Sequence, residues 1–259
     1  MFNIEEFDIK LSTDIIGRNF VYTEEIDSTN KALMSSKEFT KDGTVLLSEY
    51  QTAGKGRKSR VWYSNAGQNL TFSILLARQL KSEQLNLINL SASIAIASSL
   101  ENLFQLNTNL KWPNDVLINN KKIAGILLES SVIGNQIEKI IVGIGINVNQ
   151  YSFTGSSEFI TPPTSVKNEF KKDVSRERIL SEILNNFEQL LNLISKNPSH
   201  IIETWKSKSK LLGENVRIIE GDEVKFGKFE DLDENGFMIL KMGNKTEKIH
   251  FGDVSLRQQ

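Results

Sequence analysis

The run from Lys139 to Val148 is dense in β-branched isoleucine and valine yet interrupted by Gly143 and Gly145, and it reads as a strand buried within a sheet. Val45-Leu46-Leu47, Leu70 to Ala77 and Ile123 to Leu128 are further short apolar runs bounded by polar or glycine residues, and they extend that sheet. Asn119-Asn120, set between Val116-Leu117-Ile118 and Ile123, predicts a tight hairpin turn, since asparagine tolerates positive φ. Helical spacing is confined to two stretches. Leu87, Leu90, Ile94 and Ala97 recur on one face between about Ser82 and Phe104. Ile179, Ile183, Phe187, Leu190, Leu191 and Ile194 do the same from Ser175 to Lys196, with Ser175 as the N-cap and Pro198 beyond the end. Ser152 to Pro163, rich in Ser, Thr, Gly and Pro, predicts a surface loop.

After Leu212 the texture changes. Gly221-Asp222, Asn235-Gly236 and Gly243-Asn244 punctuate short segments, Val216 to Ile219, Val224 to Phe229, Phe237 to Leu240 and Lys248 to Phe251. Turns at such spacing predict a small all-β barrel, too short to hold a core alone and therefore expected to pack on the main domain. The chain thus divides into residues 1–210 and 211–259.

Composition removes several classes of function. The absence of cysteine excludes disulfides, thiolate metal sites and cysteine nucleophiles. The 31 basic residues against 32 acidic give a net charge of −1, so a general attraction to nucleic acid or anionic membrane is not expected. The start, Met1-Phe2-Asn3-Ile4-Glu5-Glu6, has no signal pattern, and the apolar stretch Ile140 to Val148 is far shorter than the roughly 20 residues a bilayer needs. A cytoplasmic protein without membrane contact is the expectation. Nothing resembles a zinc site or a Ser-His-Asp arrangement, and His200 and His250 read as structural or surface residues.

Five segments could carry chemistry. Between two apolar strands, Gly54-Lys55-Gly56-Arg57-Lys58-Ser59-Arg60-Val61-Trp62 joins two glycines, four cations and an aromatic. It reads either as a solvated basic loop or as a loop ordering over a nucleotide phosphate with a tryptophan cover. Lys111-Trp112-Pro113-Asn114-Asp115 is a rigid proline turn presenting a cation, an amide and a carboxylate, or a turn that merely satisfies its own backbone. Lys122 enters an apolar strand three residues before Gly125. It is either a pocket cation for a carboxylate or a snorkelling side chain beside a bulge. Gly143-Ile144-Gly145-Ile146-Asn147 lacks the third glycine of a dinucleotide fingerprint and points instead to a strand against which a planar ligand lies. Asp27-Ser28-Thr29-Asn30 is a helix start, capped by Asp27 or Ser28, whose polar groups could also hold a ligand head.

In this order and spacing, these segments together with Gln51-Thr52-Ala53 resemble the biotin–protein ligase family, strongly over Val21 to Val148. The tail from Trp205 is similar by pattern to that family's SH3-like C-terminal barrel. The resemblance implies an α+β fold, a mixed β-sheet catalytic domain with flanking helices like class II aminoacyl-tRNA synthetases and biotin–lipoyl ligases. It implies ATP with Mg²⁺, biotin as substrate, biotinyl-5′-AMP as intermediate and a biotin carboxyl carrier domain as partner. It also assigns roles. Ser28, Thr29, Asn30 and Gln51 would hold the biotin head group. Gly54, Lys55, Gly56 and Arg57 would close over biotin and phosphate, with Gly125 beside them. Trp62 would lie near the adenine, Lys122 at the biotin carboxylate and phosphate, and Asn147 near the nucleotide, with Arg60, Lys111 and Asn114 on the same side. Two departures stand out: Lys55 replaces the usual arginine, and Ser59 a common glycine. Some members carry an N-terminal DNA-binding domain; 27 residues precede Ser28 here, so DNA is not an expected partner.

The chemistry follows from charge. A carboxylate attacking an α-phosphate meets like-charge repulsion, which Lys122, Lys55 and Arg57 with Mg²⁺ can offset, the metal being held mainly by phosphate and water. Asp115 is the candidate for positioning or deprotonating the acceptor lysine. The competing readings are a lipoate or octanoate ligase or transferase of the same fold, and a non-enzymatic biotin sensor. A monomer or weak homodimer fits the sequence equally well.

Overall fold

Alternation within the apolar strands decides which face of the sheet becomes core and which stays open. The computed structural model describes residues 1–77, 81–133, 136–153, 159–220, 222–250 and 252–256. Seven strands, β1 (Phe20–Ile26), β2 (Val45–Gln51), β3 (Leu70–Leu76), β4 (Thr108–Lys111), β5 (Asp115–Ile118), β6 (Lys121–Ile133) and β7 (Gln136–Ile146), form one sheet in the order β1-β2-β3-β7-β6-β5-β4. Only β1 and β2 run parallel, so the sheet is mixed, as expected. Its helices are α1 (Ile4–Lys10), α2 (Thr29–Ser35), α3 (Leu85–Phe104), α4 (Val166–Phe170), α5 (Arg176–Leu193) and α6 (Pro198–Ser207).

Phe72, Ile74, Val142, Ile144, Ile146 and Ile126 point from one face into the main core, where α3 packs on the sheet and α5 packs on α3. Each buried isoleucine contributes about 1.5–3 kcal/mol. The opposite face carries Thr71, Ser73, Gly143, Gly145 and Gly125 in register across β3, β7 and β6. Leu75 and Ile141, at one end of that face, join Leu46 and Leu33 of α2 in a separate small cluster. Over Gly145 and Gly125 the cover is a side chain from a loop, the Trp62 indole. Glycine weakens a strand by removing packing, so the alternation of Ile and Gly in β7 gives up stability on one side to leave a bare floor.

Asn119 and Asn120 close the β5–β6 hairpin with φ of 51° and 60°, as their sequence predicts. Ser175 caps α5 by accepting from the Arg178 amide at 3.0 Å. Arg176, beside it, reaches Glu49 of β2 at 2.5 and 2.9 Å and ties the helix start to the sheet. Pro198 lies beyond the end of α5, as expected, and it also opens α6 as the first helical residue, capped by Asn197, a position where the missing N–H costs nothing. The helix from Ser82 to Phe104 is long and apolar enough to cross a membrane, but most of it is buried within the domain as its central helix. Of the loop expected at Ser152 to Pro163, residues 154–158 lie outside the described residues.

The C-terminal strands β8 (Asn215–Glu220), β9 (Glu223–Leu232), β10 (Met238–Met242), β11 (Lys245–Ile249) and β12 (Asp253–Leu256) form the antiparallel SH3-like unit, in the order β11-β10-β9-β8-β12. The segment expected as one strand, Lys248 to Phe251, is instead the end of β11, and Phe251 lies outside the described residues. β12 then returns to pair with β8; with two apolar residues in four, it carries little strand signal. The unit packs on the main domain as expected. Phe229, Met238, Leu240 and Val254 share the main core, and Trp112 donates its indole N–H to the Gly236 carbonyl at 3.2 Å.

Candidate active site

Lys122 reaches the bare face because β6 is irregular there. The register shifts between Val116 and Leu117, so that Ala124 faces Val116 but Lys122 faces Leu117. Residues three apart in a regular strand lie on opposite faces; the bulge brings Lys122 and Gly125 to the same one. A Cβ on Gly125 would lie 2.9 Å from the Lys122 Nζ, so the lysine extends across space the glycine leaves. Its ammonium pairs with Asp115 at 2.6 Å and lies 5.8 Å from the centre of the Trp62 ring. Both alternatives raised by the sequence meet here: there is a bulge, and the lysine turns inward.

Trp62 covers the floor at the cross-strand pair of Gly125 and Gly145. A Cβ on Gly145 would sit 2.3 Å from the indole. The expected planar group on this strand is therefore, in this structure, the protein's own tryptophan. Its indole N–H is buried against the floor at Gly145 without a hydrogen-bond partner.

The other end of the floor is polar and uncharged. Ser28 caps α2, settling the cap left open between Asp27 and Ser28, and Asp27 instead pairs with Lys31 at 2.6 Å. Thr29 donates its amide to Gln51 Oε1 at 2.7 Å. The Asn30 amide donates to Glu129 at 2.7 Å and to the Leu127 carbonyl at 3.3 Å, while its oxygen accepts from the Ser73 hydroxyl at 2.5 Å. Ser73 Oγ also lies 2.6 Å from the Thr29 hydroxyl. These groups fix one another's orientation, and Gly143 makes room for them: a Cβ there would meet Asn30 Oδ1 at 2.1 Å. Ser73→Ala is expected to cost about 1–3 kcal/mol by leaving buried Asn30 under-satisfied. Urea denaturation would measure it.

The glycine–basic loop is a hairpin. The Trp62 amide donates to the Gly54 carbonyl at 3.0 Å, Lys55 bridges Val61, and the Gly56 amide donates to the Arg60 carbonyl at 2.7 Å. Gly54 is required there, since a Cβ would lie 2.7 Å from the Trp62 carbonyl. The Gly56 amide is thus spent inside the hairpin rather than on an anion, and it is the cationic side chains that face the cavity. Arg57 donates to Asn114 Oδ1 at 2.9 Å, and Asn114 in turn donates to the Ile126 carbonyl at 2.7 Å. The Ser59 side chain lies outside the described residues.

The Lys-Trp-Pro-Asn-Asp turn divides its side chains. Trp112 points away into the core against the barrel, whereas Lys111, Asn114 and Asp115 line the cavity. Lys111 donates to Thr161 at 3.1 Å. Burial draws its pKa below the ordinary lysine value, with Lys122 acting in the same direction and Asp115 opposing. Asn147 is buried and donates to the Thr164 carbonyl at 2.9 Å, forming a wall of the cavity. Lys55 has no hydrogen bond or ion pair from its side chain among the described residues. The cavity measures about 660 Å³, within the range that holds a cofactor-sized ligand.

The Biotin/lipoate A/B protein ligase family model matches residues 22–147, and that of the Biotin protein ligase C terminal domain matches residues 211–257. A Biotin--[acetyl-CoA-carboxylase] ligase of Paracoccus denitrificans is 33% identical over 222 residues, covering 83% of this chain and 91% of the relative. The Bifunctional ligase/repressor BirA of Bacillus spizizenii is 31% identical over 248 residues, covering 95% and 76%. The chain belongs to the biotin–protein ligase family. Its fold superposes on the biotin protein ligase from Aquifex aeolicus in complex with biotin and ATP with a TM-score of 0.80, at 31% identity over 93% of this chain and 100% of that one.

For this member of the ligase family, the cavity brings together every residue to which the sequence resemblance assigns a binding role: Ser28, Thr29, Asn30, Gln51, Gly54, Lys55, Gly56, Arg57, Arg60, Trp62, Lys111, Asn114, Asp115, Lys122, Gly125 and Asn147 all line it. Sequence reasoning missed Ser73, Glu129 and Asp253. Ser73 could have been found from the alternation Thr71, Ser73 within an apolar strand. Asp253, in a strand without its own signal, could not.

Proposed function

We propose that the protein activates biotin with ATP to biotinyl-5′-AMP and pyrophosphate, then transfers biotin to a lysine of a carrier domain. The observation that carries this reading is the polarity of one cavity: uncharged hydrogen-bonding groups at the α2 end, clustered cations at the other. A ligand with an amide-like neutral head and an anionic tail is complementary to both. Ser28, Thr29, Asn30 and Gln51 hold the head. Lys122 and Arg57, with Lys55 and Lys111 nearby, offset repulsion between the carboxylate and the α-phosphate and stabilise charge that develops during attack. Trp62 forms a flat wall for the ligand. The two carboxylates of the cavity, Asp115 and Asp253, already pair with cations. Among the described residues no three acidic or histidine side chains are placed to hold a metal ion, and Mg²⁺ would be carried by phosphate oxygens and water.

In the transfer step the acceptor lysine must lose a proton, and Asp115 is the carboxylate placed to receive it or to hold the amine. Asp115→Asn is then expected to slow transfer more than adenylate formation. The acceptor is a biotin carboxyl carrier domain, reached in the cytoplasm, and the free edge of β1 is available to it or to a second protomer. The deciding experiment is pyrophosphate exchange with ATP, run separately with biotin and with lipoate, followed by transfer of labelled biotin to a purified carrier domain. Exchange with lipoate alone, or biotin binding without exchange, would overturn the reading.

A further inference from the structure

The tip of the glycine–basic loop is fastened to the C-terminal barrel at a single carboxylate. Asp253, the first residue of β12, lies 3.3 Å from Lys58 Nζ and 3.9 Å from Arg57 Nη1, and it forms a close ion pair with Arg60. Two barrel carbonyls reinforce the contact: Gly252 accepts from Arg57 at 3.1 Å and Ile219 from Lys58 at 3.2 Å. Lys58 at the tip has a φ of 54°, a conformation a lysine rarely keeps unless its surroundings hold it. Burial alone would raise the Asp253 pKa. The hydrogen bond and charge of Arg60, then Lys58 and Arg57, outweigh it and hold the carboxyl below its usual value, so it stays ionised.

A carboxylate at the edge of a cavity built for phosphate weakens anion binding by repulsion, so its presence there calls for a compensating role. Position supplies one. Arg57, held on one side by the barrel, spends its other nitrogen on Asn114 of the proline turn, completing a line from barrel to loop to catalytic turn.

We infer that Asp253 is a positioning residue, which docks the loop tip on the barrel so that Arg57 and Arg60 face the phosphate site before substrate arrives and the loop stays closed over the adenylate afterwards. The inference rests on the ligase reading for its second half only. Loop docking can be measured without any activity, by hydrogen exchange of the amides of residues 54–62 in the ligand-free protein. Asp253→Asn is expected to speed that exchange about tenfold, the size expected for loss of a charge-assisted contact shared among several partners. It should raise release of biotinyl-5′-AMP and the KM for ATP by a similar factor, with the melting temperature unchanged. Asp253→Glu should restore part of each.

Lys58→Gln provides an independent variant should Asp253→Asn fail to fold. It is expected to speed loop exchange severalfold, and the two effects should be less than additive in the double variant. Loop exchange within twofold of wild type in both variants would overturn the inference. Faster exchange with unchanged adenylate release and ATP KM would overturn the positioning role and leave a structural contact alone. A wild-type protein without biotin-dependent pyrophosphate exchange would instead sink the ligase reading, while the loop measurement would still report on docking.

Discussion

Lys122→Ala is expected to lower biotin-dependent pyrophosphate exchange about 10²–10³-fold, the loss seen when one preorganised group at a developing charge is removed. The size follows from placement. The ammonium is drawn into the cavity by a bulge, laid over the space of Gly125 and neutralised for the time being by Asp115 at 2.6 Å. When two anionic substrates enter, that cation is already oriented, so little reorganisation is needed as the carboxylate attacks. Lys122→Ala also strands the Asp115 carboxylate, which should cost about 1–3 kcal/mol of stability. The double variant Lys122→Ala/Asp115→Asn separates the two effects: stability should return toward wild type while exchange stays low. Recovery of exchange in the double variant would show that the single change acted through Asp115 misplacement rather than through loss of the cation.

The sheet was legible because its strands combine β-branched density with turn residues whose chemistry is unambiguous, as at Asn119-Asn120. The open face was legible too, in the alternation of glycine and isoleucine from Gly143 to Ile146, once the strand is taken to have a core side and a ligand side. Two kinds of feature were hidden. The shift of register that turns Lys122 inward arises from pairing with β5, which no local pattern encodes. Asp253 belongs to a four-residue strand held by its partner β8 rather than by its own propensity, so its meeting with Arg57, Lys58 and Arg60, nearly two hundred residues away in sequence, exists only in the folded chain. The helix that Pro198 opens was missed for a simpler reason: a proline beyond one helix can also begin the next, and Asn197 before it was the cue.

Gly145→Ala should damage activity far more than it damages the fold. The Gly145 backbone has no positive φ, and alanine is itself the more rigid residue, so the strand accepts the change. The new Cβ would, however, lie 2.3 Å from Trp62 Cε2 and 2.7 Å from its Nε1, which forces the indole off the floor. Because Trp62 closes the hairpin through Gly54, displacement moves the loop that carries Lys55, Arg57 and Arg60. Misplacement of about 1 Å in positioning groups costs about 10²-fold in rate, and that loss in kcat/KM for ATP is the expected result. Fluorescence can follow the cause directly. Of the three tryptophans, Trp112 and Trp205 are 1% and 0% exposed in the core, so a red shift in Gly145→Ala with an unchanged melting temperature would report on Trp62 alone. Gly125→Ala meets only the flexible end of Lys122 at 2.9 Å and the indole edge at 3.3 Å, and it should lose no more than about tenfold by the same positional argument. Wild-type kinetics in Gly145→Ala would mean that Trp62 leaves the floor in the working enzyme and that the glycines serve some other neighbour.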